Sequence, residues 1–164
     1  SGACFFIKSE IFHQLDGFDE DYFAHQEEID LCWRTSNLGY DIKYVGMSTI
    51  YHIGGATLDE ANSYKTFLNF RNSLYSLVKN LPSNKVFIFV LIRMILDAVA
   101  GVRFLFQGRP IHMVAIIKSH ISFYVNLRGM LSKRTFKHNN KKYYDTKSIV
   151  WSHFILNIRN SNKL

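Results

Sequence analysis

The sequence predicts an α/β fold that gives way to helices alone, and three observations carry that prediction. Apolar runs at residues 4–7 and 41–45 flank a helical stretch near residues 27–38, a strand–helix–strand order that suits a sheet edge. From Ala61 onward, apolar residues recur at three- and four-residue steps. The charge also changes sign near residue 60. Residues 1–60 hold 3 Lys/Arg against 11 Asp/Glu, whereas residues 61–164 hold 17 against 2. The 164 residues therefore divide into an acidic part, 1–60, and a basic helical part, 61–164.

The elements follow in order. Residues 4–7 read as a short buried strand. Ser9 N-caps a short helix through Leu15, and Gly17 ends it. Residues 18–25 form a loop anchored by Phe18, Tyr22 and Phe23. A helix from Glu27 to Leu38 turns Ile29, Trp33 and Cys32 inward, with Gly39 as its C-cap. Residues 41–45 alternate like a strand, and 49–52 extend or follow it. Beyond Ala61, Tyr64, Phe67, Leu68, Arg71, Leu74, Tyr75 and Val78 mark one long amphipathic helix to Asn80, which Pro82 stops. A second long helix covers 85–106 and breaks at Gln107-Gly108-Arg109-Pro110. A third covers 111–131. Residues 133–142 read as a solvated basic loop, and 148–158 as one last short element.

The basic half needs an anionic partner, and its composition favours lipid over nucleic acid. Its cations are spread among apolar helices, with no nucleic-acid-binding motif. Residues 86–106 are largely apolar but carry Arg93, Asp97 and Arg103. A charge near the centre of a spanning helix costs at least about 2.5 kcal/mol. Arg93 and Asp97 are four apart and can pair on one face. The segment reads first as an interfacial or buried amphipathic helix and second as a spanning one, with an ordinary core helix as the plain alternative. Cys4 and Cys32 have no metal-site spacing and are expected as reduced cytosolic thiols. Ser1-Gly2-Ala3 is no signal peptide, and a start without Met suggests a piece of a longer chain.

The chemistry concentrates in residues 17–34. A turn, Gly17-Phe18-Asp19-Glu20, leads to Glu27-Glu28-Ile29-Asp30-Leu31 with Arg34, and then to His52 beside Gly54-Gly55. Acids at a helix start and a histidine beside a flexible bend can supply a general base and a metal ligand. Asp30 and Arg34 have the i, i+4 spacing of a helix ion pair. A helix N-terminus also favours acids without any catalytic role.

In order and spacing, these pieces resemble the acceptor-side half of a family 2 glycosyltransferase of the rhamnosyltransferase-like kind. The likeness is dense over residues 1–58 and looser to residue 80. It implies the C-terminal part of a GT-A-type α/β nucleotide-sugar transferase domain, followed by amphipathic helices. It also implies inverting transfer of a sugar, rhamnose among the candidates, from a nucleotide-diphosphate donor to a glycan or lipid-linked hydroxyl. Glu28 matches the place of the catalytic base, where the family more often has Asp, and Glu27 is its rival. The extra methylene moves the carboxylate by roughly 1.5 Å.

The same likeness makes Gly2, His25, Gln26, Asp30, Arg34 and Gly55 substrate-binding or site-shaping candidates, and His52 a ligand of Mg2+ or Mn2+. The main metal ligands, an Asp-x-Asp, and the donor-binding half are expected upstream, so this piece alone is expected to be inactive. The implied setting is the cytoplasmic face of the inner membrane, on an anionic lipid surface. A non-catalytic membrane-binding or scaffold module of similar shape is the alternative.

Overall fold

The computed structural model describes residues 2–51, 62–134 and 157, and among these every regular element is helical. Five α-helices follow in order: α1 (Ser9–Gln14), α2 (Glu27–Asn37), α3 (Ser63–Asn80), α4 (Ser83–Phe106) and α5 (Pro110–Ser132). A 3-10 turn at Glu20–Tyr22 lies between α1 and α2.

The α/β expectation is thereby corrected. Residues 4–7, 41–45 and 49–51 form no strand. A strand satisfies its backbone only in a ladder with a neighbour, and none of the described residues offers one. Water covers these segments instead: Tyr44 is 93% and Tyr51 99% exposed. Residue 52, the Gly54-Gly55 bend and the tail at 148–156 lie outside the described residues.

Helix ends follow local chemistry. Helix α1 begins at Ser9, with Lys8 in the cap position and no side-chain cap, so Ser9 is the first helical residue and not the cap. The chain leaves α1 through Asp16 (φ 55°) and Gly17 (φ 66°), with the Gly17 N–H returning 2.9 Å to Phe12 O. A β-carbon on Gly17 would lie 3.0 Å from the Phe12 ring, so the turn needs glycine for space and for backbone. Asn62 caps α3 by accepting from Tyr64 N at 2.9 Å. Leu81 is extended, as the residue before Pro82 prefers. Pro110 opens α5, where its missing N–H costs nothing.

Helices α3, α4 and α5 form a bundle joined by short turns. Its core is Leu74, Tyr75 and Val78 of α3 with Phe123 and Met130 of α5, joined by Tyr22 from the turn. Val86, Val90 and Met94 of α4 pack against that core. A second tie holds the far end. His112 lies buried under Phe104, 2.7 Å from Thr66 Oγ1 and 2.9 Å from Arg109 Nη2. Burial and then the Arg109 charge hold its pKa below the ordinary value, which suits a neutral ring accepting from the guanidinium.

Helix α2 packs on α3 with a face other than the expected one. Ile29 is 49% exposed, while Asp30, Leu31, Arg34, Thr35 and Asn37 are buried. Apolar spacing pointed to Ile29, Trp33 and Cys32. The face that goes in is instead chosen by polar partners waiting on α3.

Candidate functional site

Those partners form a polar stripe along α3 at helical spacing: Asn69, Asn72, Ser73, Ser76, Lys79 and Asn80. Four side chains converge on the buried Asp30 carboxylate. Arg34 Nε (2.8 Å) and Lys79 Nζ (2.9 Å) donate to Oδ2, while Asn80 Nδ2 (2.9 Å) and Tyr22 OH (3.1 Å) donate to Oδ1. The Tyr22 pKa is pushed up by burial first and by the Asp30 charge second, so its hydroxyl stays a donor. Arg34 spends its other nitrogens on Leu15 O (2.5 Å) and Gly17 O (2.8 Å), closing the end of α1 onto α2.

The turn between α1 and α2 is tied as tightly. Asp19 accepts from Lys79 (2.6 Å) and from Lys133 at the end of α5 (2.6 Å), and Lys133 also reaches Asp21 (2.6 Å). Burial would raise the Asp19 pKa, but bonds from Lys133 and Lys79 outweigh it and lower the value to about 2. Lys133 is moved the opposite way: burial lowers its pKa, and the bonds to Asp19 and Asp21 more than offset that.

Between this turn and α2 the backbone is strained. Phe23 (φ 62°), His25 (φ 67°) and Gln26 (φ 70°) all sit at positive φ without being glycine. Such residues cost roughly 1–3 kcal/mol each and persist only where the surroundings over-determine them. Here α3 does so. Asn72 Nδ2 donates to the carbonyls of Tyr22 (3.0 Å), Ala24 (2.9 Å) and His25 (2.8 Å), and Arg71 Nη2 to those of Asp21 and Tyr22. The Gln26 side chain leaves the helix start uncapped and donates to Asn69 O (3.0 Å) and Ser73 Oγ (2.7 Å).

The strained segment lines a pocket of about 390 Å³ formed by Ala24, His25, Gln26, Glu27, Glu28, Ile29 and Asn69. Two of its polar atoms, His25 Nε2 and Glu27 Oε2, are buried without a hydrogen-bond partner. Glu28 is half-buried and accepts the Gly2 N–H through Oε1 at 3.2 Å. A β-carbon on Gly2 would lie 3.1 Å from that carboxylate, so the contact needs glycine or a shift of Glu28.

The structure thus gathers Gly2, His25, Gln26, Glu27 and Glu28 at one place. It puts Asp30 and Arg34 behind that place, in the buried network. His52 and Gly55 lie outside the described residues. Among the described residues no group of three or more His, Cys, Asp or Glu could hold a metal ion. Sequence reading missed the retaining residues Asn72, Lys79 and Asn80, although their polar stripe on an otherwise amphipathic helix was a usable signal.

The chain is 36% identical over 52 residues to the N-acetylglucosaminyl-diphospho-decaprenol L-rhamnosyltransferase of Mycobacterium tuberculosis, which is 32% of this chain and 17% of that protein. It is 28% identical over 89 residues to the low-salt glycan biosynthesis hexosyltransferase Agl10 of Haloferax volcanii, 52% of this chain and 26% of that one. No family model and no solved structure matches the chain. The chain therefore has a local likeness to glycosyltransferases and spans about a quarter or less of these relatives' length.

Proposed function

We propose that this chain carries the acceptor side of an inverting glycosyltransferase of the family 2 kind. The sugar comes from a nucleotide-diphosphate donor and goes to a hydroxyl of a glycan or lipid-linked acceptor, with rhamnose the first donor sugar to test. The observation that carries the reading is the pocket at the start of α2, where a strained segment brings Glu27, Glu28 and His25 together. Its volume of about 390 Å³ falls in the usual range for small-ligand sites, and carboxylates and an imidazole there suit sugar hydroxyls, which both donate and accept.

In this proposal Glu28 is the general base. The Gly2 N–H holds its Oε1, and its Oε2 takes the proton from the acceptor oxygen as that oxygen bonds to the anomeric carbon. The bond from that carbon to the departing diphosphate breaks on the opposite face, which inverts the centre. Glu27 Oε2 accepts from an acceptor hydroxyl and His25 Nε2 contacts another, which aligns the nucleophile. Mg2+ or Mn2+ would supply charge neutralisation at the diphosphate, with His52 put forward as this chain's ligand to it.

The acidic part carries the reaction, and the basic helical part holds it at an anionic membrane surface on the cytoplasmic side. The test is a transfer assay on the full-length enzyme with its donor-binding half, pairing each nucleotide-diphosphate sugar with polyprenyl-diphosphate-linked and free glycan acceptors. Transfer with inversion at the anomeric carbon is the expected result. Vesicle binding with no transfer from any donor would overturn the reading in favour of a non-catalytic membrane-binding module.

A further inference from the structure

Helices α4 and α5 are arranged with their polarity reversed. Asp97 is 2% exposed in the α4–α5 contact, where it accepts from Arg93 Nε at 2.6 Å and lies 3.0 Å from His120 Nε2. Ser119 of α5 is fully buried and donates to Ile116 O at 2.7 Å. The outer face of α4 is the opposite. From Phe87 to Val102 every exposed side chain is apolar, Phe87, Ile88, Leu91, Ile95, Leu96 and Val99 among them. Ile117, Ile121 and Val125, at four-residue steps on α5, are exposed apolar residues as well. Water-soluble bundles put such residues inside and their ion pairs outside, and an exposed apolar expanse of this kind marks an interaction surface.

We propose that this face of α4 inserts into the hydrocarbon margin of an anionic bilayer, as a helix lying in the plane of the membrane. The inference rests on the membrane placement proposed above and makes it specific to one face and one depth. Charge selects lipid over a second copy of the chain. Residues 62–134 carry eleven Lys/Arg and a single acid, Asp97; Asp97 is paired internally, as are Lys79, Arg93 and Lys133, so the surplus of cations over acids remains. Two copies would set cation against cation, whereas anionic headgroups complement them.

The apolar stretch is about 24 Å long at 1.5 Å per residue, with Arg103 exposed at its C-terminal end. No helix among the described residues is long and apolar enough to cross a membrane. The apolar face of an in-plane helix sinks roughly 5–10 Å, which side chains of this size can fill.

Flotation of the full chain with phosphatidylcholine vesicles containing about 30% phosphatidylglycerol tests this. Binding is expected to survive about 1 M NaCl, which screens headgroup attraction but not burial. The double substitution Leu96→Lys/Val99→Lys, at exposed positions, is expected to lower the bound fraction about tenfold or more with an unchanged far-ultraviolet circular dichroism spectrum. A tryptophan introduced by Ile95→Trp, with Trp33 and Trp151 changed to Phe, is expected to be quenched by lipids brominated on their acyl chains.

Complete release by salt, or no quenching, would reduce the contact to headgroup attraction and overturn insertion. A dimer in vesicle-free buffer that ignores vesicles would overturn lipid as the partner. Flotation needs no nucleotide sugar. Binding without transfer sinks only the catalytic reading, and transfer without binding sinks this inference with the membrane placement it rests on, leaving the catalytic reading standing.

Discussion

Asp19 joins three parts of the molecule: the turn before the pocket, α3 through Lys79, and the end of α5 through Lys133. Its pKa is lowered from 3.8 to about 2 in the fold. A depressed carboxylate stabilises the folded state fully above its unfolded pKa and loses that contribution as pH falls through the folded value. The window is therefore from about pH 4 down to about pH 2, and the contribution is at most about 2 kcal/mol. Denaturant unfolding at pH 5 and pH 2 should show that loss, and Asp19→Asn should reduce the difference between the two by about that amount. An equal pH dependence in the variant would contradict the assignment. Reading the sequence placed Asp19 in a structural turn. Its partner Lys133 is 114 residues away and fell in a stretch read as solvated loop, so nothing local announced the pair.

At the scale of elements, α2 shows what helical periodicity leaves out. The start of the helix at Glu27 was legible from the acids and from the amphipathic run, and the three long helices were legible from their three- and four-residue spacing. The buried face of α2 was not, because it is chosen by a carboxylate and a guanidinium satisfied from α3 and the α1 end. Strands at 4–7 and 41–45 were expected from short apolar alternation, a pattern that becomes structure only when a neighbouring strand completes the ladder.

Asp30 is the joint between α2 and α3, so Asp30→Asn leaves Arg34 buried without its anion and Lys79 with Asp19 alone. Removing one partner of a buried pair typically costs about 3–5 kcal/mol. The denaturant midpoint should fall accordingly with little change in slope. A loss below about 0.5 kcal/mol would show that water or a rearranged Lys79 replaces the network, and would remove the reason given for the orientation of α2.

Across the whole molecule, one device recurs: polar side chains of the bundle grip an irregular segment and hold it in a shape it would not keep alone. Helix α3 faces two ways, with Leu74, Tyr75 and Val78 toward α5 and with Asn72, Ser76 and Lys79 toward the turn and α2. The basic bundle is therefore more than an appendage to the acidic part, because it fixes the geometry of the pocket at His25–Glu28. The change of charge near residue 60 was visible in the sequence and drew a border there. The contacts cross that border at Asp19, Tyr22, Gln26 and Asp30, since charges of opposite sign in the two parts become partners in the fold. It also follows that a change in the bundle can reach the pocket without touching it.

The measurement that bears most directly on the central claim is the turnover of the Glu28→Gln and Glu27→Gln variants of the full-length enzyme, with thermal stability recorded for each. Losing a positioned general base costs about 10²–10⁴-fold. Glu28→Gln is predicted to lower kcat by that order with little change in Tm, and Glu27→Gln to act chiefly on KM for the acceptor. A kcat loss confined to Glu27→Gln would move the base to the neighbouring residue. Normal transfer by both variants would contradict the account of this pocket as the place where the acceptor hydroxyl is deprotonated.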